Sequence, residues 1–179
     1  MVTQKIETER LILRKAKQED INNIWENVWK DKTIADNMLW KVTETLKEAK
    51  IRMEKTIKYQ SENYAFFVCL KSTNEPIGFA GIIEKEKDVY EDSGICISRK
   101  YQRNGYAKEV VSALKDLIFL KLNGKKFIYG CFSTNEASRK VCISQGFKYF
   151  NSEKCIRKHD NMKYISDNYY FDREMYNKK

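Results

Sequence analysis

Apolar positions recur along this chain with two different periods, and the switches between them mark its elements. Residues 5–15, KIETERLILRK, carry a β-leaning run around Leu11, Ile12 and Leu13. Ile21, Ile24, Trp25 and Val28 then fall at helical spacing within residues 18–30, and a short apolar connection spans 35–40. From Thr43 to about Tyr59, charged residues surround Leu46, Ala49, Ile51, Met53 and Ile57, which predicts a second helix starting at Thr43 and Glu44. YAFFVCLK (64–71) and PIGFAGIIE (76–84) read as a strand hairpin turned by STNE, and a third strand lies within VYEDSGICIS (89–98).

The clearest helix follows, from about Gly105 to Leu122. Ala107, Val110, Val111, Leu114, Leu117, Ile118 and Leu122 share one side, and Asn123-Gly124 ends it. KKFIYGCF (125–132) is a strand, and ASRKVCISQ (137–145) is a short helix stopped by Gly146. FKYFNSEKCIRK and SDNYYFDREMY are two closing strands. This order predicts an α+β fold, a mixed and mostly antiparallel sheet of about seven strands with helices on both faces. The strand, helix and strand between about 90 and 132 supply one parallel pair through a right-handed crossover. No repeat, low-complexity tract or linker interrupts the chain, so residues 1–179 read as a single domain.

Composition narrows the function without choosing it. The N-terminal MVTQKIETERLILRK lacks an uninterrupted apolar stretch, and no segment approaches the roughly eighteen apolar residues that span a bilayer, so no membrane partner is expected and the cytosol is. Five cysteines without a C-x-x-C pair read as reduced thiols, and the lone His159, in RKHDNM, reads as a solvated turn residue; no metal site is expected. A net charge of +9 favours anionic partners. The basic residues are spread along the chain, however, and mixed with acidic ones, so no dedicated nucleic-acid surface is expected.

Two strand-to-helix junctions carry candidate chemistry. Gln102-Arg103-Asn104-Gly105-Tyr106-Ala107 precedes the strongest helix, where unpaired backbone N–H groups and the helix dipole suit a phosphate. Gly105 and Ala107 keep the approach open, and Arg103 and Lys108 add charge. An ordinary loop holding a glycine fits the same six letters, which match neither the three-glycine dinucleotide fingerprint nor the G-K-[ST] phosphate loop. The second junction is STNEASRKVCISQGF (133–147). Taken alone, Asn135 or Thr134 is a helix N-cap, with Ser138 in the first turn and Gly146 as a C-cap.

Taken together, these features resemble the GNAT superfamily of acetyl-CoA-dependent N-acetyltransferases, and most closely its RimJ/RimL-like branch. The resemblance runs through IETERLILR (6–14), PIGFAG (76–81), DSGICI (92–97), QRNGYA (102–107), NEASRKV (135–141) and Gly146-Phe147. It implies the GNAT fold and direct transfer of an acetyl group from acetyl-CoA to an amine. The main-chain amides of Gln102, Arg103, Asn104, Gly105, Tyr106 and Ala107 would wrap the coenzyme A pyrophosphate. The backbone at Cys96 and Ile97 would pair with the pantetheine arm, Asn135 would bond to that arm, and Ser138 would lie near the thioester sulfur.

For the base that deprotonates the amine, Glu91 and Asp92 are adjacent at the end of the third strand and point to opposite faces if it is regular. Asp92 matches the position where the branch commonly carries a glutamate before its glycine and is the preferred base; a solvated position is the other reading of both. Ser138 is the expected donor to the leaving thiolate, with Cys131 as a neighbour. Cys142 stands where many relatives have a tyrosine, and Ile95 and Cys96 follow Gly94 where aromatic residues are common. Trp25, Trp29 and Trp40 fall where this fold borders its acceptor, although tryptophans at such spacing also serve as core. The acceptor reads as a protein N-terminal α-amino group or a small-molecule amine, and the +9 charge disfavours a polyamine. A catalytically silent acyl-CoA-binding or nucleic-acid-binding protein of the same fold is the other reading. The protein would be a monomer or a homodimer.

Overall fold

A computed structural model describes residues 3–178. Eight strands form one sheet in the order β1-β2-β3-β4-β5-β6-β8-β7. They are β1 (Lys5–Glu7), β2 (Leu11–Arg14), β3 (Ala65–Leu70), β4 (Pro76–Glu86), β5 (Val89–Ile97), β6 (Lys126–Phe132), β7 (Lys148–Ile156) and β8 (Lys163–Asp172). Every neighbouring pair is antiparallel except β5 and β6, which are parallel. The helices are α1 (Ile21–Ile24), α2 (Lys32–Ala35), α3 (Leu46–Glu62), α4 (Tyr106–Asp116), α5 (Glu136–Ser144) and α6 (Arg173–Asn177). Among the described residues, no helix is long and apolar enough to cross a membrane.

The eighth strand arises at the N-terminus, where the run over residues 5–15 is not one strand but two. The polar Glu7-Thr8-Glu9-Arg10 folds back on itself, and Glu109 of α4 fixes that turn by accepting from Thr8 Oγ1 at 2.5 Å and from Arg10 N at 2.8 Å. The predicted 18–30 helix is also broken. A single 3₁₀ turn leads into α1, which then widens over Trp25–Trp29, where Lys30 N–H reaches back five residues to Trp25 O. This π-type turn advances the chain by one residue and leaves both Val28 and Trp29 buried. The same widening lengthens α4 through Lys121, before Asn123 turns the chain with φ +55°.

The second helix starts at Thr45 rather than Thr43. Thr45 and Glu48 exchange the two bonds of a capping box. Thr43 is engaged elsewhere, its N–H donating to Trp29 O, its carbonyl accepting from Trp25 Nε1 and its hydroxyl accepting from Arg52.

Period-two alternation divides the core between the two faces of the sheet. Phe66 and Val68 pack with Val110, Leu114 and Ile118 beneath α4, whereas Phe67 and Cys69 pack with Ile24, Val28, Trp29 and Met53 beneath α1 and α3. One buried ion pair ties this arrangement together. Arg14, at the end of β2, donates both terminal nitrogens to Asp20 at 2.7 Å and its Nε to Asn74 at 2.8 Å, with the Arg14 and Asp20 side chains only 11% and 5% exposed. Removing one partner leaves the other charge buried and unmatched. Asp20→Ala is therefore expected to cost about 3–5 kcal/mol of stability in urea titration, far more than loss of an exposed pair such as Lys32–Asp36.

Candidate active site

The site begins with a strand that bends. Along β5 the register with β4 jumps from Ala80–Ile95 to Ile82–Asp92, so Ser93 and Gly94 together oppose Gly81. This β-bulge is accommodated by Gly94 at φ +113°, a conformation open to glycine. Parallel pairing with β6 holds for only three positions, Val89–Lys126, Tyr90–Phe127 and Glu91–Ile128, and beyond them the two strands no longer pair. The wedge between them forms part of a cleft of about 740 Å³.

Asp92 lies at the point of divergence. Gly130 N–H of β6, just beyond the last parallel pair, donates to Asp92 Oδ2 at 2.7 Å, and Gly94 N–H donates to Oδ1 at 3.2 Å. The carboxyl keeps some exposure to the cleft, but its surroundings are largely protein, and this burial raises its pKa to about 7. Glu91 is held differently, in an ion pair of 3.0 Å with Lys85.

Across the cleft stand the residues of the second junction. Asn135 caps α5, its Oδ1 accepting from Ser138 N at 3.1 Å. Its Nδ2 has no acceptor among the described residues. Ser138 Oγ lies 2.8 Å from the hydroxyl of Tyr129, a buried side chain on β6. Among the described residues the Tyr129 hydroxyl has no other hydrogen-bond partner, and when Tyr129 donates, Ser138 keeps its own proton for the neighbouring Cys131 sulfur or for a group in the cleft. Burial holds Tyr129 well above the usual phenol range, which makes it a donor and not a base. Burial likewise raises Cys131 to about 11, which leaves its thiol protonated and unsuited to nucleophilic attack. Cys142, in the place of the family tyrosine, is buried in the core and raised by the same cause.

From the cleft, β5 runs directly into the first junction. The alternation of antiparallel pairing, anchored by Ser98 N donating to Ile77 O, turns the main chain of Cys96 toward β4 and those of Ile95 and Ile97 toward the wedge. Ile97 O accepts from the Gln102 side chain at 2.9 Å, and the Cys96 side chain is buried against α1 and α3. Asn104 Nδ2 bonds the carbonyls of Tyr101 and Gln102, while Arg10 donates to Asn104 O at 2.9 Å and stacks on the Tyr106 ring.

These contacts fix the loop through its carbonyls and side chains and leave its amides open. The six consecutive N–H groups of Arg103 to Lys108 have no acceptor among the described residues, and the first helical bond is that of Glu109 to Gly105 O. Arg103 at φ +63° and Gly105 at φ +80° turn these amides into a concave run ending in the α4 N-terminus, a geometry suited to anions. A Cβ at Gly105 would lie 3.4 Å from the nearest atom outside its neighbours, Arg10 Nη2, so glycine is needed there for its backbone angle more than for space.

A smaller chamber of about 290 Å³ opens beside the cleft and shares Trp40, Phe79, Ser93 and Gly94 with it. Trp29 and Trp40 line this chamber, whereas Trp25 is tied to Thr43 by its indole N–H. Arg157 ties down the chain leading to Trp40, donating to the carbonyls of Asp36 and Met38 at 3.2 Å each. Neither Tyr129 nor Arg157 stood out in the sequence, since the one looks like strand core and the other like a surface cation.

A family model described as an acetyltransferase (GNAT) domain matches residues 10–148. No curated protein matches the sequence significantly. Among solved structures, a GNAT-family acetyltransferase from Bacillus anthracis superposes with a TM-score of 0.83 at 24% identity, covering 96% of this chain and 99% of that one. RimL, a ribosomal L7/L12 alpha-N-protein acetyltransferase solved with coenzyme A, gives 0.79 at 18% identity over 96% and 99%. The microcin C7 self-immunity acetyltransferase MccE, solved with acetyl-CoA and AMP, gives 0.77 at 14% identity over 92% and 93%. At these identities the structural likeness speaks for the fold alone.

Proposed function

Because the chain belongs to the GNAT acetyltransferase family, we propose that it transfers the acetyl group of acetyl-CoA directly to a primary amine. The observation that carries this reading is the run of six unpartnered amides from Arg103 to Lys108, placed where β5 leaves the wedge. The amides of Arg103 to Ala107, with the charges of Arg103 and Lys108, would hold the pyrophosphate. Ile95 and Ile97 would offer their main chain to the pantetheine amides, and Asn135 Nδ2 would donate to the same arm. Acetyl-CoA supplies the activated thioester.

The acid and base roles follow from the two sides of the cleft. Asp92, with a pKa near the working pH, would take the proton of the incoming ammonium directly or through water. Ser138 would donate to the departing sulfur while Tyr129 holds its oxygen. Ser138→Ala is expected to lower kcat about 10- to 100-fold, the cost of a hydrogen bond to a charged group, while KM for acetyl-CoA changes little. Tyr129→Phe should give a smaller loss in the same steady-state assay, because it removes the partner and leaves the donor.

The reading is tested by isothermal titration with acetyl-CoA, followed by thiol release over a panel of amines that includes peptides with free N-termini. Saturable binding with amine-dependent thiol release is the expected result. Binding without release on any amine would favour a silent acyl-CoA-binding protein, and no binding by folded protein would overturn the proposal. The RimL-like motifs favour a protein N-terminus among the acceptors, and the net charge of +9 speaks against polyamines.

A further inference from the structure

The chamber beside the cleft contains a cation without a counter-ion. Arg52 of α3 is sandwiched between the rings of Trp29 and Trp40, 4.7 Å and 4.3 Å from their centroids. Among the described residues, its one hydrogen bond runs from Nη1 to Thr43 Oγ1 at 2.9 Å. No carboxylate pairs with it among the described residues, and none lines the chamber, to which Lys55 adds a second cation. Burial lowers the Arg52 pKa to about 10, and the nearby Cys96 thiol offsets this only in part.

A half-buried guanidinium ordinarily has a carboxylate or several carbonyls for its fork, since an unmatched buried charge is costly. Arg14 and Arg157 in this same chain have such partners. A second donor nearby is also unmatched. Among the described residues, the indole N–H of Trp40 is the one buried side-chain N or O atom without a partner, and Trp40 forms part of the wall between chamber and cleft.

We infer that the acceptor amine bears an oxyanion of its own, a carboxylate or a phosphate, received by Arg52 while the amine points past Ser93 and Gly94 toward Asp92. The inference rests on the acetyl-transfer reading above and narrows it to a substrate class. Carboxylate and phosphate both match a planar fork that keeps most of its donors open. The aromatic lining of Trp29, Trp40, Tyr59, Phe66 and Phe79 gives the body of such a molecule apolar contact. The stacking rings also hold the guanidinium in one orientation before the ligand arrives, which lowers the ordering cost of binding.

Equilibrium binding to the full chain without coenzyme A tests this directly. N-acetylphenylalanine and phenyl phosphate serve as probes, each beside its uncharged counterpart, N-acetylphenylalanine amide and phenol. At least one anion is expected to bind about tenfold or more tightly than its counterpart. Arg52→Gln should erase that preference, and Arg52→Lys, which keeps charge but not the fork, should keep part of it; circular dichroism reports the fold of both. The better probe identifies carboxylate or phosphate as the natural group. Equal binding of anion and counterpart, or an unchanged preference in folded Arg52→Gln, would overturn the inference. Acetyl-CoA binding without anion preference removes this inference alone. Arg52-dependent anion binding without acetyl-CoA binding supports the oxyanion site and removes acetyl transfer.

Discussion

Asp92→Asn is expected to lower kcat by about two to four orders of magnitude, the usual range for loss of a general base, and to leave acetyl-CoA affinity nearly unchanged. The substitution is close to isosteric, and an amide oxygen can still accept from Gly130 N–H as Oδ2 does now. What disappears is the group that ionises near neutrality. The wild-type rate should therefore rise with pH along an acid limb centred near 7, and the residual rate of the variant should lack that limb. Stability should move in the opposite sense. The folded pKa is raised above its unfolded value near 3.8, so ionisation is harder in the native state, and the wild type loses stability as pH rises from about 4 to about 7. Asparagine removes this penalty. The variant should thus unfold at higher urea than wild type at pH 8, by up to about 3 kcal/mol with the carboxyl's contact with the cleft allowed for, and show little difference at pH 4. A variant equally inactive but less stable at pH 8 would assign Asp92 to structure instead of catalysis.

Much of this site is legible in the sequence because its signals are local. A glycine after polar residues at the mouth of an amphipathic helix, and an asparagine three residues before a serine at another, describe backbone geometry that neighbouring residues determine. The order of the elements along the chain followed from period and turn chemistry, and the errors came where partners elsewhere in the chain decide the local structure. Thr43 read as the start of the second helix, but its three hydrogen bonds, to Trp29, Trp25 and Arg52, hold it outside that helix. Glu7 to Arg10 hid a turn because its anchor, Glu109, lies about a hundred positions away.

Asp92 is preferred over Glu91 in the sequence through its match to a glutamate position of the resembled branch; its surroundings, the bulge at Ser93 and Gly94 and the amide of Gly130, are features of pairing that alternation alone does not contain. Arg52 was the least legible of all. In KEAKIRMEKTIKYQ it is one cation among several, and only the approach of two tryptophans from another part of the chain, with no carboxylate, distinguishes it.

The second large effect is expected at Gly105. Glutamate there must adopt φ near +80°, which costs roughly 1 kcal/mol for an L-residue, and its Cβ meets nothing closer than Arg10 Nη2 at 3.4 Å, so the fold should survive. The added carboxylate would sit among the six open amides. A negative charge about 5 Å from a pyrophosphate, in an effective dielectric of about 20, is repelled by about 3 kcal/mol, on the order of a 100-fold loss of acetyl-CoA affinity. Gly105→Ala separates this from strain, since alanine pays the same backbone cost without the charge. The alanine variant should lose stability to a similar extent and bind acetyl-CoA within a few-fold of wild type in isothermal titration. Rising salt should narrow the gap between the glutamate and alanine variants, because screening weakens the repulsion and leaves the backbone strain untouched. Equal loss in both variants would make loop shape, not anion recognition, the function of Gly105, and undiminished affinity in a folded glutamate variant would move the pyrophosphate elsewhere on the surface.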